Sequence, residues 1–428
     1  MTEVIARGQD RELGGVERLF AWNHDLGGAT HVVAAQIGGP VEVEHLKIAM
    51  QRVQRRHPVL TARIVERAGR WWLALDGAEA PVVVERDERP WGELFEAQIH
   101  TRFEAAQGPL WGIKITGEAE EPWLVMSLHH AVEDGRSTLT ILGELLEDCR
   151  RLRAGLELEA AAPGRVWPAV ESMLGGRLTW RVKLRFLFRE IGRLLIKPTA
   201  LVEVEAPFEA RRTRCGFRRL GEAATGSLVA RCRAEGTTVQ GALSAAMLLA
   251  MAGRLDRGRP VWMSCDANVD MRGWCEPAAP VEAVGMMIGS VSWAFKVEKS
   301  MDLWGLAREV RGRLGQVIER GDPRDNMLLI DWARLTREGL ERVAREGSGR
   351  QQAVFVSNLG RGELKAEGPL ATRQFYYSAG QHGMGASLWV GALTVGGCLN
   401  LTFSWAEPLV SAASAEAMIE DVLVKLGG

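Results

Sequence analysis

The stretch of sequence that decides the fold is Trp123-Leu124-Val125-Met126-Ser127-Leu128-His129-His130-Ala131-Val132-Glu133-Asp134-Gly135. Its first six residues are almost all apolar, which indicates a strand buried on both faces. A helix that continues to about Arg153 is predicted next, because apolar residues recur at helical spacing at Leu139, Leu142, Leu145 and Leu146. The two histidines therefore stand where a buried strand ends in a loop, a position that often carries function.

The loop matches the pattern HHxxxDG at all four fixed positions, which are His129, His130, Asp134 and Gly135. At ordinary residue frequencies, chance would produce this match in such a chain with a probability of roughly one in a thousand. An isolated histidine at a strand end is more often a hydrogen-bonded core residue than a catalyst. The histidine pair followed by Asp-Gly reverses that expectation and marks a candidate active site.

Outward from this segment, β-rich runs alternate with amphipathic runs, which predicts a mixed α/β fold. Before it, the predicted strands are Val32–Gly38, Leu60–Val65, Trp71–Leu75 and Leu110–Ile115, and the predicted helices are Val41–Arg56 and Trp91–Phe103. After it, the predicted strands are Val261–Ala267, Met286–Val297, Ala353–Ser357, Leu388–Val395 and Leu399–Trp405, and the predicted helices are Gln240–Gly253 and Ser414–Leu426. Proline and glycine breaks between Ala160 and Pro207 indicate a domain boundary. We expect an N-terminal lobe at residues 1–155, a linker at 156–210 and a C-terminal lobe at 211–428.

Composition excludes several classes of protein. A net charge of −1 argues against a general nucleic-acid binder, which needs a basic excess. The six cysteines form no CxxC pair and no zinc-spaced cluster with histidine, so we expect free thiols, no metal and a cytoplasmic location. Residues 1–10 lack the apolar core of a signal peptide. The longest apolar stretch, Ala242–Ala252, is too short to span a bilayer and predicts a buried helix.

The motif resembles that of the condensation-domain superfamily, which includes peptide-synthetase condensation domains, chloramphenicol acetyltransferase, plant BAHD acyltransferases and stand-alone polyketide-associated acyltransferases of mycobacterial type. In style it is nearest to the last group. Four further segments occur in the family's order, namely Arg56-His57-Pro58-Val59-Leu60, Thr237-Thr238-Val239, Asn268-Val269-Asp270-Met271-Arg272 and Ser357-Asn358-Leu359-Gly360. The resemblance implies two chloramphenicol-acetyltransferase-like lobes, each a mixed sheet with flanking helices, and an active site at their interface.

The resemblance also implies roles for the motif residues. His130 is the general base and His129 is packed and structural. An imidazole, whose pKa is ordinarily near 6.5, can take the proton that an alcohol or amine loses when it attacks a thioester. Asp134 pairs with an arginine and holds the loop. Arg272 is the candidate partner, and Arg63 is the second.

Gly135 is explained by a positive φ or by close approach of the substrate. The sequence places no nucleophilic serine or cysteine beside the histidines, and the G-x-S-x-G elbow is absent, so direct transfer is favoured over an acyl-enzyme. Candidate donors to the oxyanion are Ser357, Asn358 and the Gly360 N–H.

These features predict an acyltransferase that moves an acyl group from acyl-CoA, or from the phosphopantetheine thioester of an acyl-carrier protein, to a small-molecule alcohol to form an ester. No permanently bound cofactor is expected. Two alternatives stay open. One is an amide-forming condensation enzyme that acts in trans on carrier-bound substrates, with an amine acceptor. The other is a non-catalytic, condensation-like binding protein, although a degraded motif would be its usual marker.

The predicted linker contains a basic amphipathic helix. Its basic residues recur every four positions at Arg177, Arg181, Arg185, Arg189, Arg193 and Lys197. Residues 177–219 carry a net charge of +8, which leaves −9 for the rest of the chain. The helix is either a docking face for an anionic partner, such as an acidic acyl-carrier protein, or a solvated interdomain helix. Membrane contact is not expected, because we expect interdomain packing to hide part of the apolar side.

Overall fold

The computed structural model describes residues 9–75, 81–162, 164–175, 178–255, 258–333 and 335–427. Within these ranges the strands are β1 Arg11–Glu12, β2 Thr30–Gly38, β3 Arg63–Arg67, β4 Arg70–Ala74, β5 Val84–Arg86, β6 Trp111–Thr116, β7 Trp123–His129, β8 Arg212–Leu220, β9 Val261–Asp270, β10 Ile288–Val297, β11 Arg350–Arg361, β12 Ala371–Ala379, β13 Gly385–Val395 and β14 Cys398–Glu407. The α-helices are α1 Gly15–Asp25, α2 Val43–Arg56, α3 Trp91–Ile99, α4 Gly135–Arg153, α5 Val170–Met173, α6 Trp180–Ile196, α7 Glu222–Ala234, α8 Val239–Leu255, α9 Leu303–Glu319, α10 Asp322–Trp332, α11 Arg337–Arg345 and α12 Ala412–Leu426.

The predicted mixed α/β fold with two sheet-rich lobes is confirmed. The described part of the chain forms two compact units that are each assembled from three segments. The first contains residues up to Gly175 together with Asp270–Ile288 and Arg361–Gly380, and the second contains the remainder. The units therefore differ from the predicted division into contiguous lobes at 1–155 and 211–428. Strand β12 belongs to the first unit because it pairs with β2 along nearly its whole length.

The first unit is built around a five-stranded sheet in the order β12-β2-β7-β6-β5. Strand β7 lies at its centre, antiparallel to β2 and to β6, and all seven of its residues are buried. Helix α3 packs on β2 and β7, and α2 packs against α4. A small antiparallel sheet, β1-β4-β3, completes the unit. The central position of β7 explains its nearly uninterrupted apolar sequence.

The second unit is built around a six-stranded sheet in the order β10-β9-β11-β13-β14-β8. Helix α8 packs against α9 and α12, and its residues from Gly241 to Ala252 are buried. No single described helix is long and apolar enough to cross a membrane. Only α7 and α8 taken together reach the required length and composition, and they meet at a bend of 93°. The predicted buried helix is thus a core helix of this unit.

Strand β8 was not predicted, and its composition explains why. Its arginines resemble a continuation of the basic linker, but the strand lies at the edge of its sheet, beside β14. Arg214 pairs with Glu407, and Arg218 pairs with Glu416 and Glu420. Charged side chains on an edge strand also discourage pairing with another chain.

Helix α6 is the described part of the predicted basic helix, and Arg177 lies outside the described residues. Arg185 forms an ion pair with Asp325 of α10, and Arg189 donates to the Asn326 Oδ1 at 2.8 Å. A spacing of four residues on a helix of 3.6 residues per turn shifts each successive side chain by about 40°, so the arginines wind around the helix. Arg185 and Arg189 therefore hold α6 against α10 of its own unit.

Candidate active site

Strand β7 brings the two histidines to the end of the central sheet of the first unit. His129 is its last residue and pairs with Thr30 of β2. His130 follows directly and is 8% exposed. Helix α4 begins at Gly135, so the loop between strand and helix is short and its side chains have little freedom.

The His130 ring is held in one orientation by the loop itself. Its Nδ1 lies 2.9 Å from the backbone carbonyl oxygen of Glu133. A carbonyl oxygen only accepts hydrogen bonds, so Nδ1 carries the proton and Nε2 keeps its lone pair. The ring also packs against Phe20, with centroids 4.4 Å apart, and stacks on His31 at 4.7 Å. These contacts fix the orientation of the ring and its tautomer, with the lone pair on Nε2.

A buried carboxylate lies between two imidazoles. Glu133 is fully buried, and its Oε1 is 2.9 Å from His31 Nδ1 and 3.3 Å from His130 Nδ1. His31 lies at the start of β2, so the carboxylate joins the loop to the neighbouring strand. Both imidazoles present the same nitrogen to one acceptor group, which compensates the burial of its charge.

The pKa values of this group follow from these contacts. Burial by itself would lower the pKa of His130, but the hydrogen bond and the charge of Glu133 outweigh it and raise that pKa above its ordinary value. Burial would raise the pKa of Glu133, but the two histidines lower it to about 2. The carboxylate is therefore ionised at neutral pH, and His130 is a stronger base than a free imidazole.

The same three side chains offer ligand atoms within 4.8 Å of one another, a spacing that a metal ion could use. However, the Nδ1 atoms of His31 and His130 both lie in hydrogen-bonding geometry with Glu133. Hydrogen bonds from the two imidazoles to Glu133 therefore explain why these three side chains lie together.

His129 has a different environment. The backbone N–H of Ala131 donates to its Nδ1 at 3.2 Å, and its ring packs against the tilted ring of His24, with centroids 4.2 Å apart. His24 in turn accepts from the Phe103 N–H at its Nε2, at 3.1 Å. Burial holds the pKa of His129 well below its ordinary value, and burial together with Arg102 lowers the pKa of His24 to about 4. Both are neutral, packed side chains, which agrees with a structural role for His129.

Asp134 faces away from the histidines and holds the end of the loop where α4 begins. It is the N-cap of α4, where its Oδ1 accepts from the Ser137 N–H at 2.8 Å. Its Oδ2 accepts from the Met287 N–H at 3.0 Å. Arg272 donates to both oxygens, at 3.0 and 3.1 Å. The carboxylate is fully buried, and these hydrogen bonds satisfy it.

Arg272 is thus the arginine that the structure places beside Asp134. It is 2% exposed, and it also donates to the Ala283 carbonyl oxygen and to Asp270. Arg63, the second candidate, instead donates to the Ala106 carbonyl oxygen at 3.4 Å. The segment Asp270–Ile288 is joined to the loop through this buried ion pair.

The remaining predicted residues are placed as follows. Gly135 is the first residue of α4, so helical backbone replaces the positive φ that the sequence suggested. Ser357, Asn358 and Gly360 lie on β11, in the second unit. The Gly360 N–H already donates to the Asn358 Oδ1 at 2.8 Å. Their role as oxyanion donors remains a prediction.

Two residues of the site were missed by sequence reasoning. Glu133 occupies a position that the HHxxxDG pattern leaves unspecified, so the pattern indicates no role for it. His31 lies one residue before the predicted strand, which begins at Val32. The one available signal was the acidic residue three positions after His130, which is close enough for its backbone and side chain to reach the ring.

Two family models match the chain. The condensation-domain model matches residues 29–163, and the model described as the phthiocerol/phthiodiolone dimycocerosyl transferase C-terminus matches residues 207–364. The chain is thus similar to condensation domains over residues 29–163 and to this transferase family over residues 207–364. Polyketide synthase PksN of Bacillus subtilis strain 168 is 28% identical over 123 residues, which are 28% of this chain and 2% of that protein. The chain thus spans only a small part of the length of this relative.

Two solved structures are similar over nearly the whole chain. TRI3 trichothecene 15-O-acetyltransferase of Fusarium sporotrichioides has a TM-score of 0.77 and 11% identity, covering 97% of this chain and 94% of that one. Polyketide synthase associated protein 5 of Mycobacterium tuberculosis has a TM-score of 0.66 and 16% identity, covering 97% and 98%. At these identities the likeness establishes the fold.

Replacing Asp134 with alanine should destabilise the protein by about 3 to 5 kcal/mol, because it leaves the buried Arg272 without its main partner. Activity should fall with stability, since the start of α4 loosens as well. Chemical denaturation followed by tryptophan fluorescence measures the change. Asp270→Asn is the matched control, because this second partner of Arg272 is half exposed and its loss should cost less than about 1 kcal/mol. Equal stability of the Asp134 variant and the wild type would contradict this role.

The pair His24 and His129 should make the fold sensitive to acid. The pKa of His24 is about 4 in the folded state and about 6.5 in the unfolded chain. Between these pH values the unfolded chain binds a proton that the folded protein does not, so the free energy of unfolding falls as the pH drops from about 6.5 to about 4. His24 alone should account for about 2 kcal/mol between about pH 8 and about pH 5. His24→Gln, which keeps an acceptor for the Phe103 N–H, should flatten this dependence in denaturation experiments. An unchanged dependence would exclude His24 as the titrating group.

Proposed function

We propose that this protein is an acyltransferase that moves an acyl group from a thioester to an alcohol, with His130 as the general base. The observation that carries the proposal is the fixed tautomer of His130. Its Nδ1 donates to the Glu133 carbonyl oxygen, and its Nε2 therefore keeps the lone pair. A raised pKa makes that lone pair a better proton acceptor at neutral pH.

The reaction then needs one proton to move in each direction. Nε2 of His130 takes the hydroxyl proton as the alcohol oxygen forms a bond to the thioester carbonyl carbon. The tetrahedral intermediate collapses with cleavage of the C–S bond, and the imidazolium returns the proton to the departing thiolate. No covalent enzyme intermediate is required. Positioned proton transfer of this kind accelerates a reaction by roughly a hundred- to ten-thousand-fold.

Glu133 is the positioning residue in this proposal. Its backbone carbonyl fixes the tautomer of His130, and its carboxylate, 3.3 Å from Nδ1, stabilises the imidazolium that forms during the reaction. Asp134 has no such part, because Ser137, Met287 and Arg272 occupy its two oxygens. In this proposal the carboxylate of Glu133 thus has an electrostatic role and that of Asp134 a structural one.

The substrates are proposed from the chemistry and from the relatives. The donor is a thioester, either acyl-CoA or an acyl-carrier protein, and one relative is named as a polyketide synthase. An alcohol acceptor is favoured over an amine because one structural neighbour is named as an O-acetyltransferase. Asn358 and Ser357 remain candidates to stabilise the oxyanion, whereas the Gly360 N–H would first have to leave its bond to Asn358.

The substitution His130→Ala should lower kcat/KM at least about a hundred-fold with a small change in Tm, because it removes the base. Intact-mass assays with acyl-CoA and acyl-carrier donors, against alcohols and amines, identify the substrate and the product. His129→Ala is the matched control, since loss of this packed ring should lower Tm markedly. Near-normal turnover of the His130 variant would leave the non-catalytic, condensation-like binding protein as the better account.

The substitution Glu133→Gln should change the pH dependence of the rate as well as its size. Only neutral His130 acts as a base, so the rate falls when the pH drops below its pKa. Because Glu133 raises that pKa, the variant should lose activity at a lower pH than the wild type, with a reduced plateau rate. Glu144→Gln on α4, whose carboxylate contacts Arg56 and His57, is the control and should leave the profile in place. A uniform loss of rate without a shift would reduce Glu133 to a structural residue.

A further inference from the structure

Helix α6 exposes an unusual amount of apolar surface. Six of its large apolar side chains are between 40% and 79% exposed, and we call them the apolar stripe: Trp180, Leu184, Leu187, Phe188, Ile191 and Leu195. Single exposed apolar residues are common, but a contiguous patch on one helix marks a surface that binds something. The six side chains of the apolar stripe are thus not covered within the second unit.

The orientation of α6 explains the exposure. At 100° per residue, the apolar stripe occupies an arc of about 100° on the helix. Five side chains of α6 line a pocket beside α10, namely Val182, Arg185, Phe186, Phe188 and Arg189. Apart from Phe188, which also belongs to the stripe, they lie on a side of the helix centred about 160° away from it. Ion pairs and hydrogen bonds from Arg185 and Arg189 hold this side in place. The helix is thus fixed through its charged side and presents its apolar side outward, the reverse of an ordinary surface helix.

Basic and aromatic groups border the apolar stripe. Arg181 and Lys183 lie on its two sides, and the Lys183 Nζ is 4.2 Å from the centre of the Trp332 ring. Trp332 is 53% exposed and extends the patch onto α10. The single acidic residue of α6, Glu190, lies near Arg189 at 3.6 Å. The helix itself has five basic residues and one acidic residue, so the surface around the stripe favours an anionic partner.

We propose that the apolar stripe seats the protein on an anionic lipid surface, with α6 lying in the plane of the headgroups. Tryptophan and phenylalanine side chains prefer this boundary, and lysine and arginine can extend from it to the lipid phosphates. A single helix that projects apolar side chains also fits a planar surface. An acidic carrier protein would need basic groups at the centre of the patch, but Arg185 and Arg189 lie on the opposite side of α6 and contact α10.

Helix α6 lies outside the two segments that the family models match. The two family models match residues 29–163 and 207–364, and α6 lies between them. Lipid binding is proposed independently of the proposed acyl transfer, and it can be tested without any catalytic assay.

The experiment is sedimentation of the full chain with vesicles of phosphatidylcholine alone, or of phosphatidylcholine and phosphatidylglycerol in equal amounts. The wild type should bind the anionic vesicles at least about tenfold more strongly than the neutral ones. The variant Trp180→Ser/Leu187→Ser/Phe188→Ser should lose at least about tenfold of this binding with an unchanged Tm, because the three side chains are exposed. Val204→Ser/Val424→Ser is the matched control, since both valines are exposed apolar residues of the second unit, and it should bind as the wild type does.

Three results would overturn the proposal. The first is a wild type that stays in the supernatant with anionic vesicles. The second is a triple variant that binds them as strongly as the wild type. The third is that light scattering finds a dimer for the wild type and a monomer for the triple variant, while neither protein binds vesicles. That last result would assign the apolar stripe to a second copy of the chain.

Discussion

The ion pair between Asp134 and Arg272 is the interaction on which the rest of the site depends. It is fully buried, and a buried pair contributes only when both partners have their remaining hydrogen bonds satisfied. Here they are, because Asp134 also caps α4 and accepts from Met287, while Arg272 also donates to the Ala283 carbonyl oxygen. One carboxylate therefore fixes three things together: the start of a helix, the end of the central strand, and a segment some 150 residues further along the chain.

Because Asp134 fixes the loop in this way, the preceding residue, Glu133, can contact the two histidines. Glu133 points to the opposite side, toward His31 and His130, although it is adjacent to Asp134 in sequence. A buried carboxylate is tolerated there because two imidazoles share it. The histidine pair shows the same division. Burial lowers the pKa of His129 and keeps this side chain neutral, whereas Glu133 raises the pKa of His130. The pKa values of two adjacent histidines are therefore shifted in opposite directions.

Much of this could be predicted from sequence, and the omissions have physical causes. The segment from β7 to α4 was predictable because burial on both faces leaves a distinctive apolar run, and Arg272 because it lies in a recognisable motif. Glu133 was missed because side-chain direction in a loop has no periodicity from which to derive it. The orientation of α6 was missed because the amphipathic pattern shows which side is apolar, but the ion pair of Arg185 with Asp325 decides which side is covered.

The pairing of β12 with β2 has a consequence for how the protein is made. The two strands are separated by about 330 residues, yet they are neighbours in one sheet. At typical rates of synthesis, β2 leaves the ribosome roughly half a minute before its partner exists. During that interval one edge of the sheet has unpaired backbone groups, which can recruit other strands. The nascent chain is thus most vulnerable to aggregation while the first unit awaits its last strand, and a chaperone that shields this edge would improve its yield.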